Sequence, residues 1–385
     1  WQLFCDHIYP KLSKMIWFLI LIGLLYAILI IALTIGFGRV DEFNNISENP
    51  TTKFSVIIPF RNEAKNLPNL LQSIQLLNYP KELVEFLFVD DDSKDDSVAT
   101  IKDFFDAISQ TNFQVLKNSR TSKSPKKDAI STAISKAKHN WIVTTDADCV
   151  LSKNWLSSLD SFIQKNNSKM IVAPVNYKAK NNLLEQFQLL DFMSMQATTI
   201  GSFGLNFPFL CNGANLAYKK SIFFNVNGFE GNATIASGDD VFLLEKYTKY
   251  NQSKVHYLKS SKAIVSTSPV KNWSELIEQR KRWAAKAANF SSLKVKCIGF
   301  LIVFTNLIML YLLCSGNFKL LLFIFSLKLI VDWVLFKPTL AFFNHQKNDL
   351  VHYIFSSFFY PFFSLYIFLL SMTTKYNWKG RNFKK

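Results

Sequence analysis

Cysteine and histidine are scarce in this sequence, and neither residue type is grouped. The five cysteines have no paired spacing, which argues against a disulfide framework and fits a reducing compartment for the soluble part. The five histidines are isolated and give no metal-ligand spacing. Zinc-finger spacing and aromatic–basic RNA signatures are also absent, so we expect no nucleic-acid partner.

Apolar residues and positive charge, by contrast, are both abundant. The chain is 49% hydrophobic, contains 37 phenylalanines and carries a formal net charge of +16. Such a combination is typical of nucleic-acid binding, of attraction to anionic lipid, or of basic residues flanking membrane spans. The distribution of the apolar residues favours the membrane.

Long apolar runs predict membrane helices at both ends of the sequence. Residues 15–37 contain no charge and are followed by no small-residue cleavage site, so we expect an uncleaved signal anchor there. Three further apolar segments lie at 297–314, 320–336 and 352–372. Lys328 and Asp332, four residues apart in the second of these, are either a self-neutralising pair or a polar contact for a lipid headgroup.

Between these runs, strand-like and helix-like patterns alternate. Apolar runs predict strands at 54–59, 84–89, 113–116 and 141–145, and helical spacing predicts helices at 63–77, 97–109 and 129–137. Repeated strand–helix–strand units predict an α/β fold with a doubly wound, mostly parallel sheet. Such sheets bind ligands at the carboxyl ends of their strands.

The expected order along the chain has six parts. They are an N-terminal segment (1–14), a transmembrane helix (15–37), the α/β domain (50–270), an amphipathic interfacial helix region (271–296), C-terminal transmembrane segments (297–372) and a basic tail (373–385).

Polar clusters directly follow three predicted strands, at 59–63, 90–93 and 146–148. Each alone would suit a solvated loop or a helix cap, but parallel topology would bring all three into one acidic crevice. Mg²⁺ or Mn²⁺ suits such a crevice, because each bridges carboxylates to phosphate oxygens. Asp146 and Asp148 would share one face of an extended segment, whereas a turn after Thr145 would split the metal and ribose roles between them. Lys126 and Lys127 either approach a diphosphate or form a solvated basic loop.

The strings VIIPFRNE, FLFVDDDSKDDS and TTDADC resemble, in this order, the inverting family 2 glycosyltransferases with the GT-A nucleotide-sugar-binding fold. The similarity continues through CNGANLAY, NGFEGN and SGDDVFL. It ends at QRKRW (279–283), which is similar to the Q-x-x-R-W motif of the membrane-bound branch. Several motifs in order across residues 54–283 are far more specific than one motif alone.

The resemblance implies roles by position. The donor nucleotide-sugar would be bound by Pro59, Arg61, Glu63, Asp91, Lys126 and Asp146, although Pro125 replaces the family's usual glycine before the lysine. Asp146 and Asp148 occupy the D-x-D position and would contact ribose and metal, with Asp148 the better metal ligand. The acceptor and diphosphate would be contacted by Asn215, Gln279, Arg280, Arg282 and Trp283.

Asp240 would be the general base, because Leu243 follows it at the family's D-x-x-L spacing. Asp239 stands where the family often has Glu, and Gly238 where Thr is common. A neighbouring pair of acids leaves open which one titrates. Residues 273–287 also have the pattern of a basic amphipathic helix on a membrane surface, which is compatible with the Q-x-x-R-W motif.

The resemblance therefore implies metal-dependent transfer of a sugar from a nucleotide-sugar, a UDP-sugar by family habit, onto a lipid-linked or membrane-proximal glycan acceptor. A processive polysaccharide synthase, a nucleotidyltransferase and a non-catalytic membrane scaffold are the alternatives. We expect the catalytic domain on the cytosolic face of a bacterial cytoplasmic membrane. Three full C-terminal spans would leave the basic tail outside. One C-terminal segment is therefore expected to be re-entrant or interfacial, the Lys328/Asp332 segment being one candidate.

Overall fold

The structure is a computed structural model that describes residues 2–108, 112–287, 289–345 and 350–383. The helices are α1 (Gln2–Arg39), α2 (Leu67–Gln75), α3 (Ser97–Asp106), α4 (Pro125–Lys136), α5 (Trp155–Lys165), α6 (Leu183–Gly204), α7 (Lys220–Asn225), α8 (Asp239–Asn251), α9 (Trp273–Ala287), α10 (Leu293–Cys314), α11 (Phe318–Phe342) and α12 (Leu350–Thr373). The strands are β1 (Phe54–Phe60), β2 (Val84–Asp90), β3 (Phe113–Lys117), β4 (Trp141–Thr144), β5 (Met170–Val172), β6 (Val175–Tyr177), β7 (Leu216–Lys219), β8 (Val255–Tyr257), β9 (Val265–Thr267), β10 (Tyr376–Trp378) and β11 (Arg381–Phe383).

A seven-stranded sheet in the order β3-β2-β1-β4-β7-β5-β8 forms the centre of the molecule. β1 pairs in parallel with β2 and β4, and β2 pairs in parallel with β3, while β7 is antiparallel to both β4 and β5. β1 and β2 are almost wholly buried, as continuous apolar strands of a parallel sheet must be. The predicted α/β fold with a mostly parallel sheet is confirmed.

The pairing register places the strand ends at one edge of the sheet. Phe60 is opposite Asp90, and Ile57 is opposite Thr144. The residues that follow β1, β2 and β4 therefore leave the sheet side by side.

Among the described residues, three helices are long and apolar enough to cross a membrane. They are Trp17–Arg39 within α1, α10 and α12. α11 is equally long but carries Lys319, Lys328, Asp332 and Lys337, so the three predicted C-terminal segments are not alike.

The segments that flank α12 both contact the α/β domain. Shortly before α12, His345 Nε2 lies 2.7 Å from Asn176 Oδ1. Shortly after it, Tyr376 is buried in a cluster with Ala236 and Ala285. Because His345 is five residues from the start of α12, that end lies within about 18 Å of the contact. Both ends of α12 thus adjoin residues that contact the rest of the molecule.

α1 contacts α6 backbone to backbone at glycines. A Cβ added to Gly36 would lie 2.1 Å from the Gly201 carbonyl oxygen, and one added to Gly204 would lie 1.8 Å from the Gly36 carbonyl oxygen. No side chain fits at either place, as at the small-residue contacts between membrane helices. This contact joins the N-terminal apolar helix firmly to the α/β domain.

Candidate active site

A cleft of about 510 Å³ opens at the carboxyl ends of β1, β2 and β4; we refer to it as the donor cleft. Nine of the residues singled out in the sequence line it: Pro59, Arg61, Glu63, Asp91, Lys126, Asp146, Asp148, Gln279 and Arg282. Acids that are far apart in the sequence therefore share one crevice, because their strands are parallel neighbours.

The first two polar clusters, at 59–63 and 90–93, each contain a residue in the left-handed conformation and are joined by hydrogen bonds. Asn62 follows β1 with a φ of 52°, and Asp92 follows β2 with a φ of 65°. Asn tolerates this conformation better than most residues, and Asp does so to a similar degree. Arg61 Nη1 then donates to the carbonyl oxygens of Asp91 at 2.6 Å and Asp92 at 2.7 Å. The side chain of Arg61 thereby fixes the backbone of the second cluster.

Two acids of the donor cleft, Asp91 and Glu63, have cationic partners. Asp91 Oδ1 accepts from Asn118 Nδ2 and from Arg120 Nε, each at 2.7 Å, and its Oδ2 accepts from Arg381. Glu63 forms an ion pair with Lys379. Asn118, Arg120, Lys379 and Arg381 were not singled out in the sequence.

Residues 376–383, which we call the C-terminal hairpin, form one wall of the donor cleft. β10 and β11 pair antiparallel around a tight turn in which Lys379 and Gly380 have φ values of 51° and 74°. Such paired positive angles are typical of a type I′ hairpin turn and favour glycine at the second position. Trp378 also lies 5.2 Å below the Arg282 guanidinium. From the sequence we predict only a basic tail here. The signal for a hairpin turn is the Lys-Gly pair between two short stretches that contain aromatic residues.

The two D-x-D acids differ in their environments. Asp146 Oδ1 lies 2.7 Å from Lys126 Nζ, whereas Asp148 has no ion pair among the described residues. The Asp148 side chain opens onto the cleft, yet desolvation there, followed by the charges of Asp146 and Glu63, raises its pKa to about 6. A desolvated carboxylate beside two other carboxylates is stabilised in its ionised form by a cation bound next to it.

The described residues contain no group of three or more clustered metal-binding side chains. A divalent ion in the donor cleft would therefore be held by Asp148, with Asp146 beside it, and would complete its shell with water and phosphate oxygens. Mg²⁺ and Mn²⁺ are commonly bound in this way, so the residues present fit either ion.

Lys126 links the D-x-D segment to the acid pair at 239–240. Its Nζ lies 2.7 Å from Asp146 Oδ1 and 3.4 Å from Asp239 Oδ2. Burial alone would lower the pKa of Lys126, but Asp146 and Asp239 outweigh burial and raise it, so the side chain stays charged. Pro125 occupies the first turn of α4, where its fixed φ suits the helix.

Lys127 points away from the donor cleft. Its Nζ donates to the carbonyl oxygens of Asn232 at 2.7 Å and Ile235 at 2.9 Å. Lys127 is buried in α4 and does not line the cleft, so it neither approaches a diphosphate there nor forms a solvated loop; it fixes the loop that precedes α8.

Asp239 and Asp240 form the first turn of α8, where the helix dipole favours negative charge. Gly238 before them has a φ of 82°, and a Cβ there would lie 2.6 Å from the Phe242 ring, which explains glycine at this position. Asp240 lies 3.4 Å from Lys286 and accepts from the Gly213 backbone N–H at 3.3 Å. Burial would raise the pKa of Asp240, but Lys286 and Lys126 hold it below its usual value, so it is ionised. The pair does not line the donor cleft itself but lies behind Lys126.

The predicted acceptor residues on α9 divide between two faces. Gln279 and Arg282 line the donor cleft. Arg280 turns towards α6, where its Nε lies 2.6 Å from Asp191 Oδ2 and its guanidinium stacks 4.1 Å over the Trp283 ring. Arg280 and Trp283 therefore pack between α9 and α6 rather than facing the cleft.

Asn215 is fully buried and does not reach the donor cleft. Its Oδ1 accepts from Trp155 Nε1 at 2.8 Å, and its Nδ2 donates to the carbonyl oxygens of Pro174 at 2.8 Å and Ala263 at 2.9 Å. Both amide hydrogens are thus used inside the protein. Asn215 therefore has a structural role, and its side chain does not reach a ligand position in the cleft.

Comparison with known proteins identifies the family of this chain. Residues 55–224 match the glycosyl transferase family 2 model, and residues 141–373, more than half of the chain, match the glycosyl transferase family group 2 model. The chain belongs to the family 2 glycosyltransferases. Glycosyltransferase AglE of Haloferax volcanii is 23% identical over 228 residues, which are 59% of this family 2 chain and 70% of AglE.

Two further similarities concern TarS and a solved archaeal enzyme. The poly(ribitol-phosphate) β-N-acetylglucosaminyltransferase TarS of Staphylococcus aureus is 27% identical over 120 residues, 31% of this chain, and the chain spans only 20% of TarS. The mannosyltransferase PcManGT of Pyrobaculum calidifontis, solved with GDP-Man and Mn²⁺, matches with a TM-score of 0.54 at 15% identity, over 90% of this chain and 99% of that one. This likeness supports the GT-A-type fold.

Proposed function

We propose that the protein is an integral membrane enzyme that transfers a sugar from a nucleotide-sugar, with inversion, onto a hydroxyl of a lipid-linked or membrane-proximal acceptor. The observation that carries this proposal is the meeting of Asp91, Lys126 and Asp148 in one cleft, with Asp239 paired to Lys126 and Asp240 next to Asp239 in the chain. The GDP-Man and Mn²⁺ bound by PcManGT support a nucleotide-sugar donor and a divalent ion, Mg²⁺ or Mn²⁺. We take UDP as the nucleotide from the family resemblance.

Each group in the donor cleft has a chemical part in this transfer. Glu63 and Asp91 offer acceptor oxygens to the nucleoside, and Lys126 and Arg282 offer positive charge to the diphosphate. A divalent ion on Asp148 would add charge that stabilises the departing diphosphate.

Asp240 accepts the proton of the acceptor hydroxyl as its oxygen bonds to the anomeric carbon and the sugar–phosphate bond breaks. A positioned base of this kind accelerates such a step by roughly 10²–10⁴-fold. Because Asp240 is held ionised, it is ready to take the proton.

We further propose that α1, α10 and α11 cross the membrane and that α12 is the re-entrant or interfacial segment. Both ends of α12 adjoin contacts with the α/β domain, and the hairpin after it lies in the donor cleft. The basic tail then stays on the catalytic, cytosolic side of a bacterial cytoplasmic membrane.

Purified protein in lipid nanodiscs, a panel of nucleotide-sugars and a membrane lipid extract would test the enzyme. We expect release of nucleoside diphosphate with Mg²⁺ or Mn²⁺. In Asp240→Asn, turnover should fall by roughly a hundredfold or more while donor binding is kept. Asp103→Asn, on the exposed side of α3, is the matched control. Release of pyrophosphate, or full turnover in Asp240→Asn, would overturn the proposal.

A further inference from the structure

A second cavity, of about 140 Å³, lies among α1, α6, α10, α11 and α12, apart from the donor cleft; we call it the interhelical cavity. Most of its wall is aliphatic and aromatic. Hydroxyl and charged side chains nevertheless face it, among them Tyr26, Ser194, Thr198, Lys328, Asp332 and Ser356. An apolar cavity with a few converging polar groups is the usual form of a small-molecule site.

The charges around the interhelical cavity are neutralised within the protein. Lys328 pairs with Asp332, and the Tyr26 hydroxyl donates to Asp332 Oδ1 at 2.6 Å. Asp191, the other acid of the wall, pairs with Arg280 at 2.6 Å. Among the described residues of this wall, Lys328 is the only cation, and it is already paired. A phosphorylated headgroup would therefore meet no unpaired cation among the described residues that line the cavity, and burying an uncompensated charge is costly.

One buried hydroxyl in the wall has no hydrogen-bond partner. Ser356 is 6% exposed, and its Oγ finds no partner in the described structure. Ser364 and Ser371, on the same helix, do donate to backbone carbonyls, the first at 3.2 Å and the second at 2.7 Å. Buried polar groups are rarely left unpaired, so the unpaired Ser356 hydroxyl points to a ligand with a hydrogen-bonding group.

Two side-chain contacts in series connect the interhelical cavity to the donor cleft. Asp191 lines the cavity and pairs with Arg280, and Arg280 Nη1 donates to Gln279 Oε1. Gln279 lines the donor cleft. A molecule in the cavity would therefore be connected to the donor cleft through the side chains of Asp191, Arg280 and Gln279.

We propose that the interhelical cavity binds the acceptor, and that this acceptor is a neutral membrane lipid with a free headgroup hydroxyl, such as a diacylglycerol, rather than a phosphorylated lipid. That the bound lipid is the acceptor rests on the proposed glycosyltransferase function; that it binds does not. In the transfer, the headgroup oxygen bonds to the anomeric carbon, its proton passes to Asp240, and the nucleoside diphosphate leaves.

Photolabelling tests the site without sugar transfer. The full-length protein in nanodiscs would be exposed to a diacylglycerol with a diazirine in one acyl chain and, separately, to the phosphatidic acid with the same chains. We expect the diacylglycerol to label peptides of α6, α11 and α12 that line the cavity, and the phosphatidic acid to label them roughly tenfold less. Equal labelling by both lipids, or labelling confined to the outer face of the helices, would overturn the proposal.

Two substitutions locate the label in the cavity. Ser356→Leu fills the space and should lower labelling by about tenfold, whereas Ser356→Ala removes only the hydroxyl and should lower it by roughly threefold. Leu369→Phe adds bulk at a position on α12 that is 59% exposed and should leave labelling unchanged. A cooperative thermal unfolding transition shows that each variant is folded; if Ser356→Leu does not fold, unchanged labelling of Ser356→Ala overturns the proposal.

Sugar transfer separates this inference from the proposed function. If the wild-type protein is labelled in the cavity but transfers no sugar, the lipid site is supported and the glycosyltransferase proposal is contradicted. If folded Ser356→Leu glycosylates diacylglycerol at the wild-type rate, the lipid site is contradicted and the glycosyltransferase proposal is supported.

Discussion

The acids of the donor cleft differ in whether a cation accompanies them. Asp91 and Asp146 each pair with a basic side chain, but Asp148 faces Asp146 and Glu63 without an ion pair among the described residues. Two carboxylates held close together favour a cation between or beside them. Asp148 is therefore the residue where a bound metal would change the electrostatics most.

Metal affinity should depend on pH through Asp148. Because its pKa is raised to about 6, protons compete with the metal below that pH, and we expect Mn²⁺ affinity to fall as the pH drops through this range. Isothermal titration of Mn²⁺ between about pH 5 and pH 8 would measure this. Asp148→Asn should remove both the affinity and its pH dependence, and Asp103→Asn, an exposed acid on α3, is the control. Constant affinity down to the lowest pH would contradict the assignment.

Lys328 and Asp332 should stabilise α11 only as a pair. Removing one partner leaves the other charge buried and unpaired, so Asp332→Ala should lower the free energy of unfolding by about 3 kcal/mol. The double substitution Lys328→Leu/Asp332→Leu should cost much less, because it leaves no charge behind. Thermal unfolding in nanodiscs would compare the single and the double variant. Equal losses of stability would show that an unpaired buried charge is not what destabilises Asp332→Ala.

At the scale of elements, the glycine contact between α1 and α6 makes opposite predictions for neighbouring positions. Gly36→Ala places a methyl against the Gly201 carbonyl and should lower the free energy of unfolding by about 2 kcal/mol or more. Gly38→Ala has open space around it and should instead stabilise the helix by about 0.5–1 kcal/mol. Unfolding midpoints of the two variants would check this. A stable Gly36→Ala would mean that the helices do not touch at this glycine.

The strands were predictable from the sequence because the parallel centre of the sheet is buried on both faces. Continuous apolar runs therefore mark β1, β2 and β4, and the acids directly after them could be placed at one edge. The helix predicted from residue 63 begins at Leu67 instead. The Glu63 carbonyl accepts from the backbone N–H groups of Asn66 and Leu67, which makes this stretch a turn.

Contacts between distant parts of the chain could not be predicted. Arg280 and Trp283 fit the motif, but helical spacing alone does not say which face of α9 meets α6. The C-terminal hairpin is too short to be recognised by its periodicity, and its two ion pairs join residues 316 and 290 positions apart. Such pairings depend on where α12 ends, which only the complete fold determines.

At the scale of the whole molecule, the donor cleft combines three separate parts of the chain. The sheet edge supplies the acids, α9 supplies Gln279 and Arg282, and the last described residues supply Lys379 and Arg381. The helices α10, α11 and α12 lie between α9 and the hairpin in sequence, so their packing determines how the hairpin meets the cleft.

The hairpin's cations occupy the carboxylates that we assign to the nucleoside, so they should compete with the donor. Lys379→Ala/Arg381→Ala removes two partly buried ion pairs, one from Glu63 and one from Asp91, which keeps its pair with Arg120, and we expect UDP to bind roughly tenfold tighter. Titration calorimetry with UDP would measure this. Lys102→Ala/Lys375→Ala removes the same charge at two exposed positions without ion pairs and should leave affinity unchanged. Weaker binding in the hairpin variant would instead mean that Lys379 and Arg381 grip the bound diphosphate, and that the hairpin closes over the donor rather than competing with it.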